Sequence, residues 1–291
     1  MIEQLNIYGN SKVEQAIKRL KLFEPPEGYY LAFSGGKDSV VVKALADMAG
    51  VKYDAHYIHT SVDPPELIRF IKDVHPDVAI EFPRDKDGKR ITMWNLIPKR
   101  SMPPTRIVRY CCKELKESGG DGRWTITGVR WDESVRRRKG WGGVELNKGT
   151  KKSIKVDPDN PPDEQMMRIC PIKSQHVLNP IIDWTTDEVW EFIHKYNVPY
   201  CKLYDEGYKR LGCIGCPMSS HAREELERYP KFKRAYLKAF ERMLEVREER
   251  GDENEWQTAE DVMNWWLKTD KERKERRNAK SLQRVDNNPL E

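Results

Sequence analysis

The stretch YYLAFSGGKDSVVVKALADMAG, residues 29–50, decides the architecture. Its apolar and aromatic start predicts a strand over 29–33, the paired glycines a tight turn over 34–39, and the spacing from Val40 a helix over 40–49. Outward from this unit, strands are expected over 53–58, 78–82 and 124–127, with a helix over 65–74 between the first two. Upstream, Ser11 ahead of Val13, Ile17 and Leu20 reads as a capped amphipathic helix, stopped by Pro25 and Pro26. Strands alternating with helices mean an α/β fold, a mostly parallel twisted sheet with helices on both faces. Ligands of such sheets sit beyond the carboxyl ends of the strands, where Ser34, Thr60 and Gly128 are expected.

The turn itself carries chemistry. Gly35 and Gly36 let successive backbone N–H groups point at an anion, and the following helix adds its positive end. Ser34, Lys37 and Ser39 supply hydroxyl and ammonium donors, and Asp38 is placed to hold Mg2+ against a polyphosphate. The spacing is not that of a Walker A loop, since Asp follows the Lys and no earlier glycine stands at the required distance. A pyrophosphate or sulfate group suits the arrangement. An ordinary glycine turn is disfavoured by the strand before it and the helix after it.

Residues 139–162 are rich in Gly, Lys, Asp and Pro, so a long loop or flap is expected there. Val189, Trp190 and Ile193 restore helical spacing over 186–196, with Thr185 or Thr186 as cap ahead of Glu188. After Pro217 the composition shifts to long charged helices over 222–250 and 258–280. The expected division is therefore an α/β domain over 1–217 and a C-terminal helical appendage over 218–291. With 52 Lys and Arg against 47 Asp and Glu, the net +5 suits a polyanionic ligand without identifying it. No run approaches the roughly 20 apolar residues that span a bilayer, and the start lacks a signal pattern, so a cytoplasmic protein is expected.

In that compartment the six cysteines are expected to be ligands, catalytic thiols or core residues rather than disulfides. Cys111 and Cys112 are adjacent on a helix expected over 107–117, and Cys213 and Cys216 sit in a glycine-rich turn. Four thiolates from two distant segments surround either a 4Fe-4S cluster or a tetrahedral zinc ion, and spacing alone favours zinc. Cys170 and Cys201 stand apart, and a lone cysteine is most often a small core residue. Arg130 and the basic run Arg136, Arg137, Arg138 and Lys139 follow a strand end, as a solvated edge or as a clamp for sulfate or phosphate. Trp265, Trp266 and the cations after them suit RNA or DNA phosphates, while Asp270, Glu272 and Glu275 suit an exposed self-paired helix equally well.

SGGKDS at 34–39 resembles the pyrophosphate-loop (PP-loop) signature of the ATP pyrophosphatase superfamily. Further matches resemble its phosphoadenosine phosphosulfate (PAPS) reductase branch: Gly128-Val129-Arg130 with Glu133, Ser134 and Arg137, the stretch NPIIDWTTDEVWEFIHKYNVPYCKLYDEGY at 179–208, and GCIGCP at 212–217. The resemblance implies a Rossmann-like sheet binding ATP or an adenylyl sulfate through residues 34–39, Thr60, Gly128, Arg130 and Arg137. It implies catalytic roles for Lys37 and Asp38, with Cys201 as the sulfur-carrying thiol. The paired cysteine pattern looks like that of adenosine phosphosulfate (APS) reductases and so implies a 4Fe-4S cluster on Cys111, Cys112, Cys213 and Cys216, with Arg106 and Arg109 stabilising its negative charge.

The implied function is ATP-dependent sulfur transfer through an adenylated acceptor, with tRNA or DNA as an acceptor class. The alternatives are APS or PAPS reduction releasing sulfite, and a non-catalytic nucleotide-binding module. Family reductases carry a nucleophile in a C-terminal Glu-Cys-Gly motif, and no cysteine follows Cys216 in this chain, which ranks sulfur transfer first. Sulfur donor, acceptor and homo-oligomerisation stay open.

Overall fold

Ser11 accepts a hydrogen bond from the Glu14 amide, and the Glu14 carboxylate reaches back to the Ser11 amide, a capping box that starts α1 (Lys12–Leu22). The computed structural model describes residue 2 and residues 11–116, 119–120, 122–135, 142–146, 154–156 and 176–268. From α1 onward the elements are β1 (Tyr29–Ala32), α2 (Lys37–Ala49), β2 (Tyr53–Ile58), α3 (Pro65–Val74), β3 (Ala79–Glu81), α4 (Met93–Arg100), α5 (Tyr110–Lys116) and β4 (Trp124–Ile126). There follow β5 (Val144–Leu146), β6 (Ile154–Val156), β7 (His176–Leu178), α6 (Thr186–Lys195), α7 (Ala222–Arg228), α8 (Pro230–Glu249) and α9 (Ala259–Trp266).

Among the described residues the strands form one seven-stranded sheet in the order β3-β2-β1-β4-β7-β5-β6. The first five are mutually parallel, with Leu31 of β1 level with Ala55 of β2 and with Ile126 of β4. The last two add as antiparallel strands, β5 against β7 and β6 against β5. The expected α/β class holds. The chain runs outward from β1 through β2 to β3, then returns to β4 on the other side of β1, so the strand order reverses between β1 and β4. That switch point opens a crevice at the carboxyl ends of the two strands.

The chain divides into two compact units that interleave in sequence: Met1–His59, Pro64–Phe82 and Ser118–Leu211 in the first, and Thr60–Asp63, Pro83–Glu117 and Gly212–Glu291 in the second. This differs from a single boundary after residue 217. The Cys213–Cys216 turn belongs with the helical unit because Tyr236 of α8 donates to the Ile214 carbonyl and the Ile214 amide donates to the Val62 carbonyl, while Cys111 packs against the same core. Each unit has its own core. In the first, Leu31, Val41, Leu45, Leu67, Ile71, Trp184 and Phe192 are enclosed; in the second, Val62, Ile97, Leu115, Ile214, Phe240 and Trp266.

Local chemistry moved several boundaries. Pro230 has no amide hydrogen to donate, so the charged helix expected over 222–250 is two helices, with Pro230 opening the second. The loop expected over 139–162 contains β5 and β6, paired as a short antiparallel ladder. The helix expected over 258–280 is described as Ala259–Trp266, capped by Thr258 and Asp261; residues from 269 on lie outside the described set. Among the described residues no helix is long and apolar enough to cross a membrane.

Candidate functional site

At the switch point the chain leaves β1 through Phe33 and enters α2 with Gly36 as N-cap and no side-chain cap bond, so the first amides of α2 receive no side-chain cap from Gly36. Gly35 has φ +70°, and a Cβ built there would meet Leu67 and Ile71 of α3 at 2.6 and 2.9 Å. Only glycine takes this conformation in this space without strain. The Ser34 hydroxyl accepts from the Gly36 amide at 3.4 Å and lies 3.2 Å from the Ser39 hydroxyl, which donates to the Gly36 carbonyl at 2.9 Å. Ser34, Gly35, Gly36, Lys37, Asp38 and Ser39 thus form one compact nest.

The nest is braced from β4. A Cβ on Gly128 would lie 2.9 to 3.0 Å from the Asp38 backbone and side chain, so glycine there permits the strand exit to close on the first turn of α2. Arg130 donates through Nε to Asp38 Oδ1 at 2.7 Å, while Lys37 Nζ donates to Asp38 Oδ2 at 3.0 Å. Both oxygens of Asp38, the expected Mg2+ ligand, therefore have cationic partners. Arg130, expected to face an anion, is 1% exposed and spends its other donors on the Trp184 carbonyl at 3.1 Å, Thr186 Oγ1 at 3.3 Å and Asp132 at 3.4 Å. Arg19 of α1 fixes the turn before Trp184 through the Pro180 carbonyl and Asp183.

Tyr204 was not singled out by the sequence. Its hydroxyl accepts the Lys37 amide at 2.9 Å, and its ring meets Trp190 of α6 edge-on at 5.2 Å. The 179–208 motif supplies both aromatic residues, but nothing in its spacing marks Tyr204 as touching the nest. Cys201 in the same motif is fully enclosed among core side chains, and burial pushes its thiol up. Thr60 belongs to the second unit, where it donates to Asp63 at 2.7 Å and lies 3.7 Å from Cys213 Sγ. Arg137 and Cys170 lie outside the described residues.

The model of the phosphoadenosine phosphosulfate reductase domain matches residues 28–219. The chain belongs to the PAPS reductase family. It is 31% identical over 199 residues to an adenosine 5'-phosphosulfate reductase of Oceanobacillus iheyensis, covering 64% of this chain and 69% of that protein. It is 28% identical over 226 residues to an uncharacterized protein of Methanocaldococcus jannaschii, covering 74% of this chain and 40% of that protein. The chain thus spans well under half the length of that Methanocaldococcus relative. A phosphoadenylyl-sulfate reductase structure from Candida auris overlaps 68% of this chain and 87% of its own, at 16% identity and a TM-score of 0.43.

The second unit holds the four paired cysteines of this family member. The Cys213–Cys216 turn is fixed by Tyr236, by Glu225 accepting the Gly215 amide at 2.8 Å, and by the Cys216 amide on the Cys213 carbonyl at 3.2 Å. On α5, a hydrogen bond from Cys111 holds the Cys112 thiol down, and Arg109 adds to this by donating to Cys112 Sγ at 3.3 Å. Cys111 is pushed up by the same hydrogen bond, which it donates to Cys112, and by burial. Burial pushes Cys216 up, and the electrostatic interaction with Cys213 pushes the Lys116 ammonium up. Among the described residues no three His, Cys, Asp or Glu side chains stand in the geometry that would hold a metal ion. As a donor set, four thiols in one electrostatic neighbourhood with Arg109 and Lys116 beside them fit an anionic thiolate-bound group.

Proposed function

We propose that the chain is an ATP-dependent sulfurtransferase whose first unit activates an acceptor by adenylation. The observation that carries this reading is the nest itself: backbone donors, Lys37 and two hydroxyls converge at the switch point, while Cys201, the cysteine of the first unit among the described residues, is sealed in the core. Such a site is furnished for phosphate chemistry and, among the described residues of the first unit, has no exposed thiol.

In the reaction proposed, the nest holds the polyphosphate of ATP, and Lys37 turns from Asp38 to the phosphate oxygens. That turn frees Asp38 Oδ2 for Mg2+. A hydroxyl oxygen of the acceptor attacks the α-phosphorus, the bond to pyrophosphate breaks, and the hydroxyl proton leaves to solvent. A hydrosulfide-class nucleophile then attacks the acceptor carbon, the C–O bond breaks, and AMP departs, leaving the thiolated acceptor. Cys111, Cys112, Cys213 and Cys216 would hold a 4Fe-4S cluster, and since four thiolates fill its four terminal iron positions, an iron would become available to a sulfide only where one of these cysteines gave way. An RNA or DNA acceptor accords with the chain's positive charge.

Sulfonucleotide reduction is the second reading, favoured by the 31% identity to the Oceanobacillus enzyme. An anaerobic preparation assayed for AMP and pyrophosphate from ATP, and for sulfite from APS and PAPS, separates the two. Pyrophosphate without sulfite supports sulfur transfer; sulfite without ATP cleavage overturns it.

A further inference from the structure

The following rests on the nucleotide reading above and concerns how the nest is completed. The donors of the nest already have protein partners: the Gly36 amide has Ser34 Oγ, Lys37 Nζ has Asp38, and the Lys37 amide has the Tyr204 hydroxyl. The last contact differs in kind from the others. Ser34, Asp38 and Lys37 belong to the loop, whereas Tyr204 is brought in from a turn 167 residues later in the chain.

That turn is well fixed. The Tyr204 amide donates to the Cys201 carbonyl at 3.1 Å, and the Gly207 amide donates to the Tyr204 carbonyl at 3.1 Å. The ring stands edge-on to Trp190 and 6.4 Å from Tyr200. A phenol oxygen both accepts and donates. Here it accepts from Lys37, and its own proton has no acceptor among the described residues. Burial pushes this phenol up, so it keeps that proton at neutral pH.

We infer that Tyr204 is a positioning residue of the anion nest, accepting the Lys37 amide and presenting its own O–H to the phosphate oxygen that the nest holds. The hydroxyl thereby relays a helix N-terminal amide outward and adds a side-chain donor at a fixed angle. An O–H polarised by the amide behind it is a stronger donor than an isolated phenol. A ring fixed by Trp190 delivers it without ordering a flexible side chain.

The test uses the full chain and calorimetric titration with pyrophosphate and with Mg-ATP. Tyr204→Phe keeps the ring against Trp190 and removes only the hydroxyl; it should keep the native fold, with a melting temperature only modestly lowered because the Lys37 amide loses its acceptor, and weaken pyrophosphate binding roughly 10- to 100-fold, the range for a hydrogen bond to a charged group. Tyr204→Leu removes the ring as well and should weaken binding at least as much. Unchanged affinity in Tyr204→Phe, with loss only in Tyr204→Leu, would assign the effect to ring packing and overturn the inference. Tighter binding in Tyr204→Phe would make the hydroxyl an obstruction and overturn it too. If the unmodified chain binds neither pyrophosphate nor ATP, the nucleotide reading falls first and the inference with it. If Gly35→Val abolishes binding while Tyr204→Phe retains it in full, only the inference fails.

Discussion

Arg130 donates to Asp38 across 2.7 Å, tying the exit of β4 to the first turn of α2, in a side-chain environment where Arg130 is 1% and Asp38 19% exposed. Removing one member of a buried ion pair leaves the other without compensation, which costs far more than the pair gains. Arg130→Ala is therefore expected to lower the unfolding free energy by about 3 to 5 kcal/mol, read from urea denaturation. A loss below 1 kcal/mol would show the guanidinium to be mobile and available to ligand.

Gly35→Val should abolish ATP and pyrophosphate binding. The residue has φ +70°, and a side chain there meets Leu67 and Ile71 of α3, so the turn must open before the variant fits. Calorimetry on protein with native circular dichroism checks this. Wild-type affinity in the variant would remove the nest from the binding site.

Much of this was readable in advance because residues 29–50 combine a strand, a turn and a helix whose periodicities are unambiguous. The parallel sheet and the compactness of residues 34–39 followed from that pattern. Other features follow from long-range packing that no local pattern encodes. Arg130 sits in a run of cations, yet the Trp184 carbonyl and Thr186, more than fifty residues away, consume its donors. Cys201 sits in a motif beside the nest, yet its side chain points into the core. The interleaved units depend on Val62 and Ile214, separated by the length of the sheet domain in sequence. β5 and β6 lie in a glycine-rich, charged stretch whose strands are defined by pairing, β5 with β7 and β6 with β5, rather than by apolar alternation.

Asp54 gives a pH dependence with a definite sign. Its hydrogen bonds from Arg123 lower the carboxyl to about 2, below the value of about 3.9 in an unfolded chain. A depressed folded value means that the contribution is complete above the unfolded value and lost as the pH falls through about 2. The side chain is 48% exposed, so solvent screening holds the effect below about 1 kcal/mol. Thermal melts of wild type and Asp54→Asn should differ at pH 6 and converge near pH 2. A constant difference across that range would assign the effect to packing.

Cys111, Cys112, Cys213 and Cys216 are expected to bind one 4Fe-4S cluster together. Anaerobic protein should be brown with about four irons per chain, and each Cys→Ser change should bleach it or make it oxygen-labile. Colourless protein with one zinc per chain would replace the cluster by a structural metal.

The last prediction separates the two chemistries at Cys201. Its thiol is 0% exposed and pushed up by burial, so it lacks both the access and the thiolate character that attack on sulfur requires. If the nest works by adenylation, Cys201→Ala should still release pyrophosphate from ATP when acceptor is supplied, within about twofold of wild type. The removed sulfur leaves a small void in the core, so a lower melting temperature is expected without loss of chemistry. Nearby Tyr204 gives a control, since Tyr204→Phe should weaken nucleotide binding in a chain that keeps its fold, whereas Cys201→Ala should spare the chemistry. Steady sulfite production from APS by the intact chain, abolished in Cys201→Ala while its fold persists, would instead make Cys201 the nucleophile of a reductase. The core around residue 201 would then have to open during turnover, and trapping of the thiol by a maleimide only in the presence of APS would show it.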